Sequence, residues 1–250
     1  MNGHFLKTIN YSESSNFKNE LKKLIKAHKA VHLQGVPSRL DHITFYTDLV
    51  DTIGKVVNVG EDAATGNLTG ERWTDVRYIK DMASTFRHSN TRQPLHTDAA
   101  YTNCTFDVNF FFALENAEIG GATVFIDGAD LIHILRTYEP GLFERLIDIE
   151  IVFQKGDEPV RAKKIVEIFD DHYELNWNYF RVSDENSEDI RNLCGDFNNF
   201  LENKIVAAGI LKPVYLQAGD GLFFHDDQVL HGRNSFYGNR HLIKGAFDFS

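Results

Sequence analysis

Apolar residues at helical spacing open the readable pattern of the chain. Phe17, Leu21, Leu24 and Ile25 recur every three or four positions and predict an amphipathic helix, after which comes a short apolar segment, VHLQGV. A second helix is announced by Ser38 with Asp41 three residues on, and its apolar face is expected to carry Ile43, Leu49, Val50 and Ile53. The run EDAATGNLTG, residues 61 to 70, is small and polar around one large apolar side chain, Leu68, and predicts a loop able to lie over a site. From about Val76 onward the pattern turns to short β-rich runs parted by turn residues: TFDVNFFFALE, GGATVFIDG, IEIVF, KKIVEIF, HYELNWNYFRV, PVYLQ and GLFFHDD. Two helices interrupt them, over residues 129–138 and 189–206; the second presents Ile190, Leu193, Cys194, Phe197, Leu201 and Ile205 on one face. This order predicts an α+β, mainly β chain with a double-stranded β-helix (jelly-roll) core flanked by helices.

The size and charge of the chain narrow its partners. Its 250 residues, 42% hydrophobic, suit a single domain spanning 1–250. A formal net charge of −10 lacks the basic footprint that nucleic acid requires. No apolar run is long enough to span a bilayer, and the opening MNGHFLKTINYSESS has no charged segment followed by an apolar one, so the expectation is a cytoplasmic protein without a membrane partner. Cys104 and Cys194 show no metal-binding spacing and are expected to be buried apolar side chains. Nothing in the pattern determines an oligomeric state.

Chemistry enters at LHTDAAY, where His96 and Asp98 stand two positions apart. On a strand, positions i and i+2 project to the same side, so both would point together. A third donor is needed, and VLHGRNSF offers His231. Two imidazoles and one carboxylate hold ferrous iron on one face and leave three positions open, two for a chelating 2-oxo acid and one for O2. The far carboxylate of such an acid needs a cation with a matching fork, and Arg240 follows nine residues after His231. His225 and Asp227 repeat the His-x-Asp pattern, but His231 follows too soon for a remote strand; they are expected to be polar strand positions, with a supporting role behind the ligands open to them.

The order His96-x-Asp98, His231, Arg240 resembles the Fe(II)/2-oxoglutarate-dependent oxygenases of the taurine dioxygenase (TauD/TfdA-like) superfamily, over nearly the whole chain from the helix at Phe17. In that family a GG-x-T segment supplies a threonine to the cosubstrate, and here GGAT gives Thr123. The closing stretch GDGLFFHDDQVLHGRNSFYGNRHL is similar to the γ-butyrobetaine and trimethyllysine hydroxylase branch, although the chain lacks that branch's cysteine-bearing zinc module and has His225 and Asp226 where Asp-Asn is usual. The resemblance implies Fe(II) on His96, Asp98 and His231, 2-oxoglutarate held by Arg240 and Thr123, and oxidation of a C–H bond coupled to release of succinate and CO2. Related halogenases lack the carboxylate ligand, so the presence of Asp98 favours hydroxylation or desaturation.

Further residues are candidates for the substrate pocket. Lys244 falls near the position where taurine dioxygenase places a second cation for its substrate anion, and strand alternation would put it on the face of Arg240; the alternative is a solvated lysine. Arg233 either meets a carboxylate or anchors a turn through an ion pair. Tyr101 is expected to border the cavity, and Trp177 and Tyr179 share a strand face that walls the substrate or packs the core. Arg87, His88 and Asn90 should lie near the mouth or form a hydrogen-bonded loop. Together they suggest a small zwitterion, a free amino acid or betaine-like metabolite. A peptide or protein, an apolar natural-product intermediate, or a non-catalytic ligand-sensing role are the alternatives.

Overall fold

The apolar run VNFFFALE becomes the strand Val108–Glu115, and its period of two divides two layers of core. Phe110 and Phe112 point to one side, against the helices Phe17–Ala27 and His42–Ile53. Phe111 and Ala113 point to the other, against Phe125, Leu222, Phe224 and Leu242. Both phenylalanines of the first pair are fully buried, and truncating either to alanine would cost about 3 to 5 kcal/mol.

The structure is a computed structural model, and it describes residues 5–62, 65, 67–102, 105–156 and 160–249. The seven-stranded sheet runs in the order Leu6–Asn10, Ala30–Gln34, Gly221–Phe224, Val108–Glu115, His241–Phe249, with Gly54–Val57 and Thr74–Arg77 both pairing the last of these. Only its first pairing is parallel. A four-stranded antiparallel sheet runs Lys212–Val214, Thr123–Asp127, Val229–Arg233, Gln93–His96. Its outer side chains, among them Leu95, Val124, Ile126 and Leu230, pack on the helices Gly128–Tyr138, Pro140–Asp148 and Glu188–Phe200. The fold is thus mixed and mainly sheet, with helices outside both main sheets. Among the described residues no helix is long and apolar enough to cross a membrane.

Several elements depart from the pattern-based expectation. The second helix is capped by Asp41, whose carboxylate accepts from the Thr44 N–H at 2.8 Å, and Ser38 lies outside it. That start turns Ile43 outward at 43% exposure and brings Tyr46 inward to stack on Phe112, with ring centroids 4.5 Å apart. The run HYELNWNYFRV is a strand only over Tyr173–Leu175. Its next residue, Asn176, bonds the carbonyls of Ile165 and Lys164, and a 3-10 turn follows at Tyr179–Arg181. KKIVEIF divides into the ends of two hairpins, Arg161–Lys164 and Val166–Ile168. The helix Pro140–Asp148 has Pro at its first turn and buries Phe143 and Leu146, signals that the expectation passed over. Leu6–Asn10, Gly54–Val57 and Thr74–Arg77 are peripheral strands with few apolar positions, so alternation marked them weakly. The last long helix, capped by Ser187, passes from α to π geometry at Leu201–Val206. Cys194 is buried, which pushes its thiol up to about 12; Cys104 lies outside the described residues.

Candidate metal centre

His231, in Val229–Arg233, lies directly across from His96 at the end of Gln93–His96. The expected strand does not continue to Asp98. The Thr97 N–H turns away to the Trp177 carbonyl at 2.6 Å, and the N–H groups of Asp98 and Ala99 both donate to Asp226 Oδ2 at 2.8 Å. A pinned turn, rather than the pleat, therefore swings the Asp98 carboxylate onto the imidazoles. Its Oδ1 lies 3.7 Å from His96 Nε2 and its Oδ2 3.5 Å from His231 Nε2. One donor atom from each of the three residues lies within 4.8 Å of the others.

Supporting contacts orient each donor. His96 Nδ1–H donates to the Pro94 carbonyl at 2.9 Å, which leaves the Nε2 lone pair facing inward, where Gln93 Nε2 approaches at 3.1 Å. His231 Nδ1 faces Asp226 Oδ1 at 3.6 Å, and neither atom has a hydrogen-bond partner among the described residues. From the seven-stranded sheet, Asn109 Nδ2 and Lys244 Nζ reach Asp98 Oδ2 at 2.5 and 2.8 Å. The centre is thereby enclosed between the two main sheets.

Burial, reinforced by His231, pulls His96 down to about 3, so its ring is neutral and able to donate to a metal at physiological pH. Burial pushes the Asp98 carboxyl up, but Lys244, His231 and His96 outweigh it and hold Asp98 well below the usual carboxylate range. For Lys244, burial favours the neutral amine, yet Asp98 and Glu61 outweigh it and raise the ammonium above its ordinary value. Asp226 is pushed up to about 6 by burial and by Asp98. Two imidazoles and an ionised carboxylate of this kind fit Fe(II).

A cavity of about 590 Å³ opens from the triad and is lined by Tyr101, Phe111, Lys155, Tyr179, Arg181 and Lys244, among others. At its polar side Lys155 pairs with Glu61, and Arg87 Nη1 donates to the Glu61 carbonyl at 2.8 Å. Arg87 Nε donates to His88 Nε2 at 3.2 Å, so the segment is both a cavity wall and a hydrogen-bonded turn. Asn90 joins the turn through its carbonyl, which accepts from the Phe236 N–H. Residues 63, 64 and 66 of the expected loop lie outside the described residues; Glu61 and Thr65 line the cavity.

The remaining candidates separate. Arg240 is buried just before His241–Phe249; its Nε donates to the Gly121 carbonyl at 3.0 Å, and no carboxylate among the described residues pairs with it. Gly121 has φ +73°, and a Cβ there would lie 3.1 Å from Arg240 Cδ, so glycine is required by both backbone and neighbour. Burial, reinforced by Arg233, pulls the Arg240 guanidinium down to about 9. Thr123 is buried opposite Arg233, and neither Thr123 nor Arg240 lines the cavity described above. Arg233 anchors a turn through neutral acceptors rather than an ion pair: Nη2 donates to the Phe86 and Thr91 carbonyls and to Ser89 Oγ.

Lys244 is no solvated surface lysine: its Nζ lies 2.8 Å from Asp98 Oδ2 at the cavity wall, while Arg240 lies just before the same strand. Trp177 has no exposed surface, packs edge-on against Phe197 at 4.7 Å and lines no part of the cavity; Tyr179 does line it. His225 bonds the Ile25 carbonyl, while the Asp227 carbonyl accepts from Leu175; the residue between them, Asp226, supports the ligands. Asp226, Asn109, Gln93, Lys155 and Arg181 were not foreseen. Asn109 had a signal: it is the one polar residue in the buried part of the central strand, VNFFFA.

The sequence profile of the taurine catabolism dioxygenase TauD, TfdA family matches residues 3–208. The match ends before His231, Arg240 and Lys244, so their grouping rests on the geometry above. PvcB from Pseudomonas aeruginosa superposes with a TM-score of 0.69 at 16% identity, covering 98% of this chain and 86% of that one. An asparagine oxygenase solved with Fe(II), 2S,3S-3-hydroxyasparagine and succinate gives a TM-score of 0.66 at 12% identity, over 94% of this chain and 80% of that one. The non-heme iron oxygenase OrfP, solved with Fe, succinate and (3R,4R)-dihydroxy-L-Arg, gives 0.66 at 14% identity, over 94% and 81%. At these identities the structures speak for the fold alone. No curated protein matches the chain.

Proposed function

We propose, for a chain that belongs to the taurine catabolism dioxygenase TauD, TfdA family, hydroxylation of an aliphatic C–H bond in a small zwitterionic metabolite, a free amino acid or betaine-like compound. By family it is an Fe(II)- and 2-oxoglutarate-dependent dioxygenase. His96, Asp98 and His231 would hold the iron, which supplies oxidation of a C–H bond coupled to decarboxylation of 2-oxoglutarate to succinate. Arg240, a buried guanidinium without an anion among the described residues, would pair with the far carboxylate of 2-oxoglutarate, with Thr123 beside it. The two facing sheets that enclose the centre support a jelly-roll core.

The observation that carries the substrate reading is Lys244, a largely buried ammonium on the cavity wall beside the iron ligands, placed to meet a substrate carboxylate. A cavity of about 590 Å³ suits a small molecule. The amino-acid products bound by the asparagine oxygenase and by OrfP support the same class, and the LHGRNSF likeness to carnitine-precursor hydroxylases keeps betaines within it. The cavity walls orient the substrate and exclude water, while Asn109, Gln93 and Asp226 keep the ligands in place.

Purified protein supplied with Fe(II), 2-oxoglutarate, O2 and a panel of amino acids and betaines should release succinate in step with a product one oxygen heavier. Coupled turnover on a peptide or an apolar compound, with none on any zwitterion, overturns the substrate class and leaves the oxygenase assignment intact.

A further inference from the structure

A second set of charges faces the same cavity around the Tyr101 ring. Lys155 Nζ lies 5.1 Å and Arg181 Cζ 5.6 Å from its centroid. Among the described residues, the cations lining the cavity are Arg87, Lys155, Arg181 and Lys244, and the anions are Glu61 and Asp98. Lys155 is matched by Glu61, and Lys244, paired on one side with Asp98, is assigned above to the first substrate carboxylate. Arg87 is engaged by the Glu61 carbonyl and His88. Arg181 is left: among the described residues no carboxylate pairs with its guanidinium, which lies over the Tyr101 ring.

The placement of Arg181 is fixed by its backbone. Its N–H donates to the Asn178 carbonyl at 3.0 Å, and its carbonyl accepts from the Gln154 N–H at 2.8 Å, so the 3-10 turn holds the residue at the cavity wall. Tyr101 is only 7% exposed, and its hydroxyl has no hydrogen-bond partner among the described residues. A guanidinium and a phenol facing one cavity offer donors without an acceptor between them, and the group that answers both is an anion, most simply a carboxylate. The aromatic face of Tyr101 is meanwhile taken by cations of the protein, which denies it to a substrate ammonium.

We propose that Arg181 and Tyr101 form a second anion subsite, distinct from Lys244, so that the substrate is an acidic zwitterion with a carboxylate on its side chain. The inference rests on the small-zwitterion reading above and sharpens it: Lys244 takes one carboxylate beside the iron ligands, and Arg181 takes the other.

Calorimetric titration of protein loaded with Mn(II) and saturated with 2-oxoglutarate tests it, using L-aspartate against L-asparagine, L-glutamate against L-glutamine, and L-lysine. In at least one pair the acid should bind at least about tenfold more tightly than its amide, and L-lysine should bind more weakly than that acid. Arg181→Gln should bring that acid to the affinity of its amide, Arg181→Lys should retain part of the difference, and Tyr101→Phe should weaken the acid more than the amide. Binding of Mn(II) and 2-oxoglutarate by each variant reports that it is folded. If every amide binds as well as its acid, if no acid binds, or if Arg181→Gln keeps the preference, the subsite is overturned while the oxygenase reading stands. A wild-type protein that binds neither Mn(II) nor 2-oxoglutarate overturns both.

Discussion

His231 stands directly opposite His96 in the antiparallel pairing of Val229–Arg233 with Gln93–His96, and their rings are 4.2 Å apart. Two donors far apart in sequence are thus set at a spacing dictated by a β-ladder, and only the carboxylate depends on a turn. Replacing His96, Asp98 or His231 by Ala should abolish stoichiometric iron binding, measured by anaerobic metal titration. Full hydroxylation by Asp98→Ala would falsify the triad.

Asp98 also neutralises Lys244. Its removal leaves a largely buried ammonium without its partner, so Asp98→Ala should destabilise the metal-free protein by roughly 3 kcal/mol in urea unfolding. Lys244→Met in the same background should restore much of that loss, because the unpaired charge is gone. A double-mutant cycle that showed strictly additive effects would remove the ion pair from the account.

Arg240 and Arg233 should separate in assay. Arg240→Ala should weaken 2-oxoglutarate binding by more than about a hundredfold, equivalent to roughly 3 kcal/mol, with little other change. Arg233→Ala should instead lower the melting temperature, since its Nη2 bonds three acceptors in the 86–91 turn. An unchanged cosubstrate titration for Arg240→Ala would move the anchor elsewhere.

Asp226→Asn tests the support behind the ligands. One oxygen can still accept from the Asp98 and Ala99 N–H groups, but an amide in place of Oδ1 would present donors to His231 Nδ1. Metal affinity should fall about 10- to 100-fold with the fold retained. Asp226→Ala, which also releases the turn, should lose stability as well; unaltered metal affinity in both variants would make Asp226 a purely structural residue.

The difference between these residues marks what was legible in the sequence. His96, Asp98 and His231, which the structure brings together, were legible by chemical type and order, and the strands around the histidines by alternation. Asp226 was not, because its role depends on a turn at Thr97 that no periodicity encodes. Trp177 packs the core, one of its two sequence readings, but the strand face it was expected to share with Tyr179 is absent for a related reason: Asn176 takes the carbonyls of Ile165 and Lys164, the strand ends at Leu175, and the count of faces stops with it. In each case the missing information was where the backbone leaves its regular path, which local pattern specifies poorly.

The last prediction concerns pH and His88. Its Nδ1–H donates to the Arg77 carbonyl at 3.1 Å and its Nε2 accepts from Arg87 Nε, so the folded state holds a neutral ring. Burial lowers its pKa, and the neighbouring Arg87 charge adds to the effect. The unfolded chain, near the ordinary histidine value of about 6.5, therefore takes up the proton first as pH falls. More protons on the unfolded state mean that stability rises with pH in this range: the contribution is intact above about 6.5 and is lost below it, by at most about 1.4 kcal/mol per pH unit. His88→Gln cannot titrate, so chemical unfolding of metal-free protein between pH 7.5 and 5.5 should show a shallower loss for the variant than for wild type. Comparing the two slopes cancels the other buried histidines, His96 among them, that titrate in both proteins. Equal slopes would mean that His88 takes up its proton in the fold as readily as in the unfolded chain, and the Arg87 bond that helps hold the cavity wall at Glu61 would then not keep the ring neutral.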